Sequence, residues 1–146
     1  MTKILIKRLS NRVLLPKYET AGSSGMDIAA FIEKNIEIDP GEKALIPTGF
    51  SVSIPKGFEI QIRPRSGLAA KKGISVLNTP GTIDVDYRGE IKVILINLSK
   101  NKFLVENNLR IAQMVVCPVV QAELEEVEEL DNTIRGSGGF GSTGSK

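Results

Sequence analysis

Apolar and polar positions alternate along most of this chain in short runs. "KILIKRL" (3–9), "NIEI" (35–38), "KALI" (43–46), "FSVSI" (50–54), "FEIQI" (58–62), "GISVL" (73–77), "EIKVILINL" (90–98) and "LRIAQMVVCPVV" (109–120) are β-branched or period-two segments of strand length. Turn signals separate them: "DPGE" at 39–42, "IPKG" at 54–57, "NTPG" at 78–81 and "ENN" at 106–108. No long amphipathic helix intervenes, so the pattern predicts an all-β sandwich, jelly roll or barrel. One short helix is predicted in "RSGLAAKKG" (65–73). Ser66 would cap its start, Lys71 and Lys72 suit its negative end, and Gly73 can take the left-handed closing conformation.

Composition sharpens this picture. The 146 residues fit one domain with a single core, and with 5% aromatics and no tryptophan that core must be built from Ile, Val and Leu. Cys117, the lone cysteine, lies within "MVVCPVV" and is expected at a buried strand position. One cysteine cannot form an internal disulfide and fits a reducing, cytoplasmic setting. The N-terminal run is broken by charges, unlike a signal peptide, and no apolar stretch nears the roughly 20 residues of a spanning helix. A membrane role is therefore not expected.

Histidine is absent, which excludes Ser-His-Asp and Cys-His catalysis and histidine metal sites. Any proton transfer near neutral pH falls first to a carboxylate. The net charge of +2 hides an asymmetry. "ELEEVEELD" (123–131) holds six acids, leaving 19 bases against 11 acids elsewhere. A localised basic surface suits a small polyanion. The few aromatics are not interleaved with the bases, so a nucleic-acid platform is not expected. The acidic run would repel phosphate and is predicted to lie away from any anion site.

Five stretches hold more polar and glycine residues than turns require. In "AGSSGMDIAA" (21–30), Asp27 stands at the start of a strand, as a turn cap or as a carboxylate directed at metal-bound water. In "PRSGLAA" (64–70), Arg65, the Ser66 hydroxyl and the N–H groups of Ser66 and Gly67 converge as they would on a phosphate, or form a capped turn. In "NTPGTIDVDYRGEIK" (78–92), the Asn78 carboxamide can match a pyrimidine edge. Asp84 and Asp86 would share one face if that segment is extended. Either one acid activates water while Tyr87 packs on a sugar, or the stretch is a polar hairpin with an Asp86–Arg88 surface pair. In "RIAQM" (110–114), alternation sets Ile111 and Gln113 on one side and Arg110 and Ala112 on the other. An edge-strand position would account for the glutamine. The fifth stretch is the glycine-rich "RGSGGFGSTGSK" (135–146), which cannot fold alone yet carries Arg135 and Phe140. Its glycines permit close backbone approach to a ligand.

In order and spacing, "SGMDIAA", "PRSGLAAKKGI", "GTIDVDYRGEI", "RIAQMV" and "RGSGGFGSTG" resemble the five motifs of the trimeric all-β dUTPases, from about residue 12 onward. The resemblance implies a jelly-roll subunit (1–134), a flexible substrate-closing tail (135–146), and a homotrimer whose active sites draw on all three chains. It implies hydrolysis of dUTP to dUMP and pyrophosphate, which limits uracil in DNA and supplies dUMP for thymidylate synthesis. Asp84 matches the carboxylate that activates water, and Tyr87 the ring against deoxyribose. Asn78 matches the uracil-reading amide, with main-chain help near Gly81, Thr82 and Ile83. Arg65, Ser66, Gly67 and Gln113 match phosphate contacts, and Lys92 a position beside bound substrate. Arg135 and Phe140 match a clasp and a lid, followed by Gly141, Ser142 and Thr143 at the phosphates. Mg²⁺ would be held by the triphosphate and water, with Asp27 touching it only through the outer shell and no direct protein ligand. A dCTP deaminase of related fold and a non-catalytic trimeric β-module are the alternatives.

Overall fold

The computed structural model describes residues 2–142. Eleven strands and one helix follow in chain order: β1 (Leu5–Arg8), β2 (Met26–Ala29), β3 (Ile36–Ile38), β4 (Lys43–Pro47), β5 (Phe50–Ser53), β6 (Phe58–Arg63), α1 (Ser66–Lys72), β7 (Ile74–Val76), β8 (Gly81–Ile83), β9 (Lys92–Asn97), β10 (Phe103–Val105) and β11 (Arg110–Pro118). They form four antiparallel sheets ordered β2-β11-β6-β8, β4-β9-β7, β1-β5 and β3-β10. This is the all-β, jelly-roll-like architecture that the alternation predicts.

Period-two patterning fills one core. In β6, Ile60 and Ile62 point inward while Glu59, Gln61 and Arg63 form a hydrogen-bonded polar ladder on the other face. In β9, Val93, Leu95 and Asn97 are buried. Phe50, Ile28, Ile38, Ile46, Ile74, Ile91 and Ile111 complete the centre, in keeping with a core built without tryptophan. Asn97 is tolerated there because its amide donates to the Ile38 and Asn101 carbonyls and its oxygen accepts from Ser99.

Several local expectations differ from the structure. The helix lies where it is predicted, with Gly73 left-handed at φ 64° and Lys71 and Lys72 in the last turn. Its N-cap, however, is Arg65, and no side chain caps it, so Ser66 is the first helical residue and not the cap. "KILIKRL" does form a strand, but all four residues of β1 are exposed and it contributes nothing to the core. Two strands of three residues each escape the pattern, β8 and β10, whereas β2 begins at Met26, beside Asp27, where the sequence places the start of a strand. Cys117 is in β11 as expected but is only half-buried, with the Arg63 guanidinium 3.6 Å from its sulfur.

Gln113 does not stand on an edge. β11 is flanked by β2 and β6, and Gln113 meets its need for a partner by donating to the Pro64 carbonyl at 2.9 Å. A bulge between Arg110 and Ala112 interrupts the alternation, so Ile111 and Ala112 are both buried and Arg110 alone turns outward.

Candidate active site

The β8 edge of the large sheet and the β4-β9-β7 sheet line an open cavity of about 440 Å³. Asn78, Gly81, Thr82, Ile83, Asp84, Tyr87 and Lys92 all line it, together with Glu90 and the apolar Leu45, Ile62, Val76, Val93 and Ile94. A turn from Leu77 to Pro80 carries Asn78 to the mouth of β8, where its amide packs beside Gly81. Gly81 and Thr82 then pair with Ile62 and Gln61 of β6, which holds the cavity wall rigid.

After β8 the chain turns instead of continuing extended. The Tyr87 N–H donates to the Asp84 carbonyl at 3.2 Å. Asp84 consequently faces the cavity without Asp86, which lines an adjacent groove with Lys56, Phe58 and Asp84. The extended segment on which a shared face of the two acids depended is absent: both border the adjacent groove, but only Asp84 also borders the cavity. No Asp86–Arg88 ion pair forms among the described residues. Arg88 instead donates to the Val85 and Tyr87 carbonyls at 2.8 and 2.9 Å, bracing the turn. The Tyr87 hydroxyl donates to the Glu90 carbonyl at 2.9 Å.

A second polar cluster lies at the opposite edge of the same sheet. Asp27 on β2 accepts from Arg65 Nε at 3.2 Å through Oδ1 and from Arg110 Nη1 at 3.0 Å through Oδ2. Arg65 Nη1 also donates to the Arg110 carbonyl. Gln113 is the β11 register partner of Asp27, and Ser66 and Gly67 sit exposed at the start of α1 beside Arg65. With β11 and β6 between β2 and β8, three strand spacings of roughly 4.8 Å separate this cluster's edge from the cavity's edge.

The tail joins neither group. Arg135 Nε donates to the Gly138 carbonyl at 2.8 Å, Ser142 N–H to Gly139, and Phe140 is fully exposed. Gly141 is likewise exposed, and Thr143 lies outside the described residues. The acidic run 123–131 is exposed and lines none of these surfaces. No group of three or more His, Cys, Asp or Glu able to hold a metal occurs among the described residues, and both Asp27 oxygens are engaged by guanidinium.

Sequence reasoning missed three contributors. Leu45 is the outward residue of β4 and 55% exposed; an apolar side chain at the polar phase of a strand was the available signal. Arg110 reaches Asp27 because of the bulge, which left no mark in the pattern. Glu90 sits between the turn and β9, and nothing in its sequence context sets it apart.

A jelly roll with an amide, a carboxylate and a phenol around one cavity, and guanidinium groups across the same sheet, defines a β-protein suited to an anionic ligand that carries a ring. The dUTPase family profile matches residues 11–144. A deoxyuridine 5'-triphosphate nucleotidohydrolase of Hydrogenobaculum sp. is 55% identical over 144 residues, covering 99% of each chain. That of Fusobacterium nucleatum is 55% identical over 145 residues, again with 99% of each covered. Among solved structures, the dUTPase of Staphylococcus bacteriophage 80α, as a variant with dUpNHpp, superposes with a TM-score of 0.85 at 28% identity, covering 99% of both chains. The chain belongs to the dUTPase family.

Proposed function

We propose that this protein hydrolyses dUTP to dUMP and pyrophosphate, and so limits uracil incorporation into DNA while supplying dUMP for thymidylate synthesis. The observation that carries the reading is the convergence of Asn78, Asp84 and Tyr87 on one cavity in a chain of this family. Asn78 and the β8 main chain read the pyrimidine edge. The Tyr87 ring lies against the deoxyribose, where a 2'-hydroxyl would clash. The Asp84 carboxylate accepts a proton from water as its oxygen attacks the α-phosphorus. The bond from that phosphorus to the bridging oxygen breaks, and pyrophosphate leaves.

Arg65, Ser66, Gly67 and Gln113 take the phosphates, with Lys92 beside the substrate. Mg²⁺ supplies charge neutralisation on the triphosphate when bound. The local chemistry fits an ion that arrives with the nucleotide, since Asp27 has both oxygens occupied by arginine and can reach it only through water.

Residues 1–134 form the folded subunit in this reading, and 135–146 the segment that closes over substrate: Arg135 on phosphate, Phe140 over the base, and Gly141, Ser142 and Thr143 following. A homotrimer with shared sites accounts for two features. The cavity and the guanidinium cluster sit at opposite edges of one sheet. The arm at 119–134 also exposes Val120, Leu124, Leu130 and Ile134, each at 84% or more, with no cover from the described residues of its own chain. No described helix is long and apolar enough to cross a membrane, and a cytoplasmic site of action follows from the nucleotide chemistry.

Pyrophosphate release from dUTP, dCTP, dTTP and UTP in Mg²⁺ tests the proposal, and a failure to prefer dUTP refutes it. Ammonia release from dCTP would instead indicate the deaminase alternative. Asp84→Asn is expected to fold and bind nucleotide while losing roughly 100- to 10,000-fold in turnover. Retained activity in that variant removes Asp84 from the mechanism.

A further inference from the structure

The wall between Tyr87 and Lys92 has no regular strand until β9 begins, yet two of its side chains must hold position against substrate. A cross-link to the turn between β4 and β5 holds it in place. Gly49 in that turn is buried, and its N–H donates to Glu90 Oε1 at 2.9 Å. The neighbouring Thr48 hydroxyl donates to the Ile91 carbonyl at 2.6 Å, and Ile91 N–H to the Phe50 carbonyl at 2.9 Å. The Glu90 carbonyl receives the Tyr87 hydroxyl, while Glu90 Oε2 lies 3.9 Å from Lys92 Nζ. A Cβ at Gly89 would overlap the Tyr87 phenol, so the ring rests directly on that backbone.

We infer that Glu90 is a positioning residue for sugar selection: by reaching the buried Gly49 N–H, its carboxylate fixes the peptide to which the Tyr87 hydroxyl is tied. The inference rests on the reading of Tyr87 as the surface against deoxyribose. The physical reason is that a buried amide donor must be satisfied, so Glu90 has one strongly preferred conformation. That conformation sets the position of its own carbonyl and hence of the phenol. The ion pair to Lys92, at 3.9 Å and half-exposed, is a weaker and separable contribution. Glu90 thus governs the ring by its reach and Lys92 by its charge.

Two variants separate reach from charge. Glu90→Gln keeps the side-chain length and an oxygen for Gly49 but drops the pairing with Lys92. Glu90→Asp keeps the charge and shortens the reach by one methylene. The ratio of kcat/KM for dUTP over UTP is expected to fall about tenfold in Glu90→Asp and to stay near wild type in Glu90→Gln. A structural readout accompanies it. The chain has no tryptophan and two tyrosines, so in a Tyr18→Phe background Tyr87 is the sole emitter. Acrylamide quenching of its fluorescence should rise about twofold in Glu90→Asp as the ring is freed, and not in Glu90→Gln. The reverse order, or no change in either variant, overturns the inference. Tyr87→Ala is the control for the reading beneath it. If that variant still excludes UTP, Tyr87 does not select the sugar, whereas the quenching order continues to report the Glu90 tether.

Discussion

Asp27 takes one guanidinium on each oxygen, and the two pairs should differ in strength in an order opposite to their lengths. Arg110 is the closer partner at 3.0 Å, against 3.2 Å for Arg65. A Coulomb estimate at an effective dielectric of 20 gives about 5 kcal/mol gross for either, so distance does not separate them. Burial does. The Arg65 side chain is 28% exposed and that of Arg110 51%, against 18% for Asp27. Arg65 also donates to the Arg110 carbonyl, which restricts its rotamers before the ion pair forms. Desolvation and entropy leave a coupling of about 1.5–2 kcal/mol for Asp27–Arg65, near that of a hydrogen bond to a charged group. For Asp27–Arg110 about 0.5–1 kcal/mol remains, the range of surface pairs.

Double-mutant cycles on alanine variants measure both couplings from urea unfolding, and the loss of the Arg65 bond to the Arg110 carbonyl cancels within its cycle. All proteins are compared at one subunit concentration, because assembly contributes to apparent stability. Salt at about 0.5 M should erase most of the Arg110 coupling and leave most of that of Arg65. An Arg110 coupling equal to or larger than that of Arg65, or a salt effect that falls on Arg65 first, would refute the claim that burial outweighs distance here.

Two further outcomes are expected. Thr48→Val keeps the shape of a side chain that is 1% exposed but strands the Ile91 carbonyl, and should lower unfolding free energy by about 1–3 kcal/mol in a urea titration. Removing residues 135–146 should leave the unfolding free energy from a urea titration within about 0.5 kcal/mol of wild type, since Arg135 and Ser142 bond only within the tail. Pyrophosphate release should nonetheless fall roughly 100-fold if the segment orders the substrate.

Much of the fold was legible because burial on one face of a strand imposes a period of two, and that period survives in Ile60 and Ile62 or Val93 and Leu95 whatever the partner strand. Turn chemistry was equally local: "DPGE" and "IPKG" turn where they are read to turn, with Gly41 and Gly57 both at positive φ. Residues 78–92 could be picked out as chemical because Asn, Asp and Tyr exceed what a hairpin needs.

What lay beyond local pattern was whatever depends on a distant neighbour. Ser66 has the chemistry of a cap, but the path from β6 makes Arg65 the N-cap and sends its guanidinium 38 positions back along the chain to Asp27. The bulge that frees Arg110 and the turn that parts Asp84 from Asp86 answer to strand pairing and packing. Glu90 reads as one more surface acid until the buried Gly49 amide, 41 positions earlier, is set against it. Side-chain type and spacing are properties of a line and can be read along it. Which donor lacks a partner is a property of the packed chain, because only packing removes the water that would otherwise supply one.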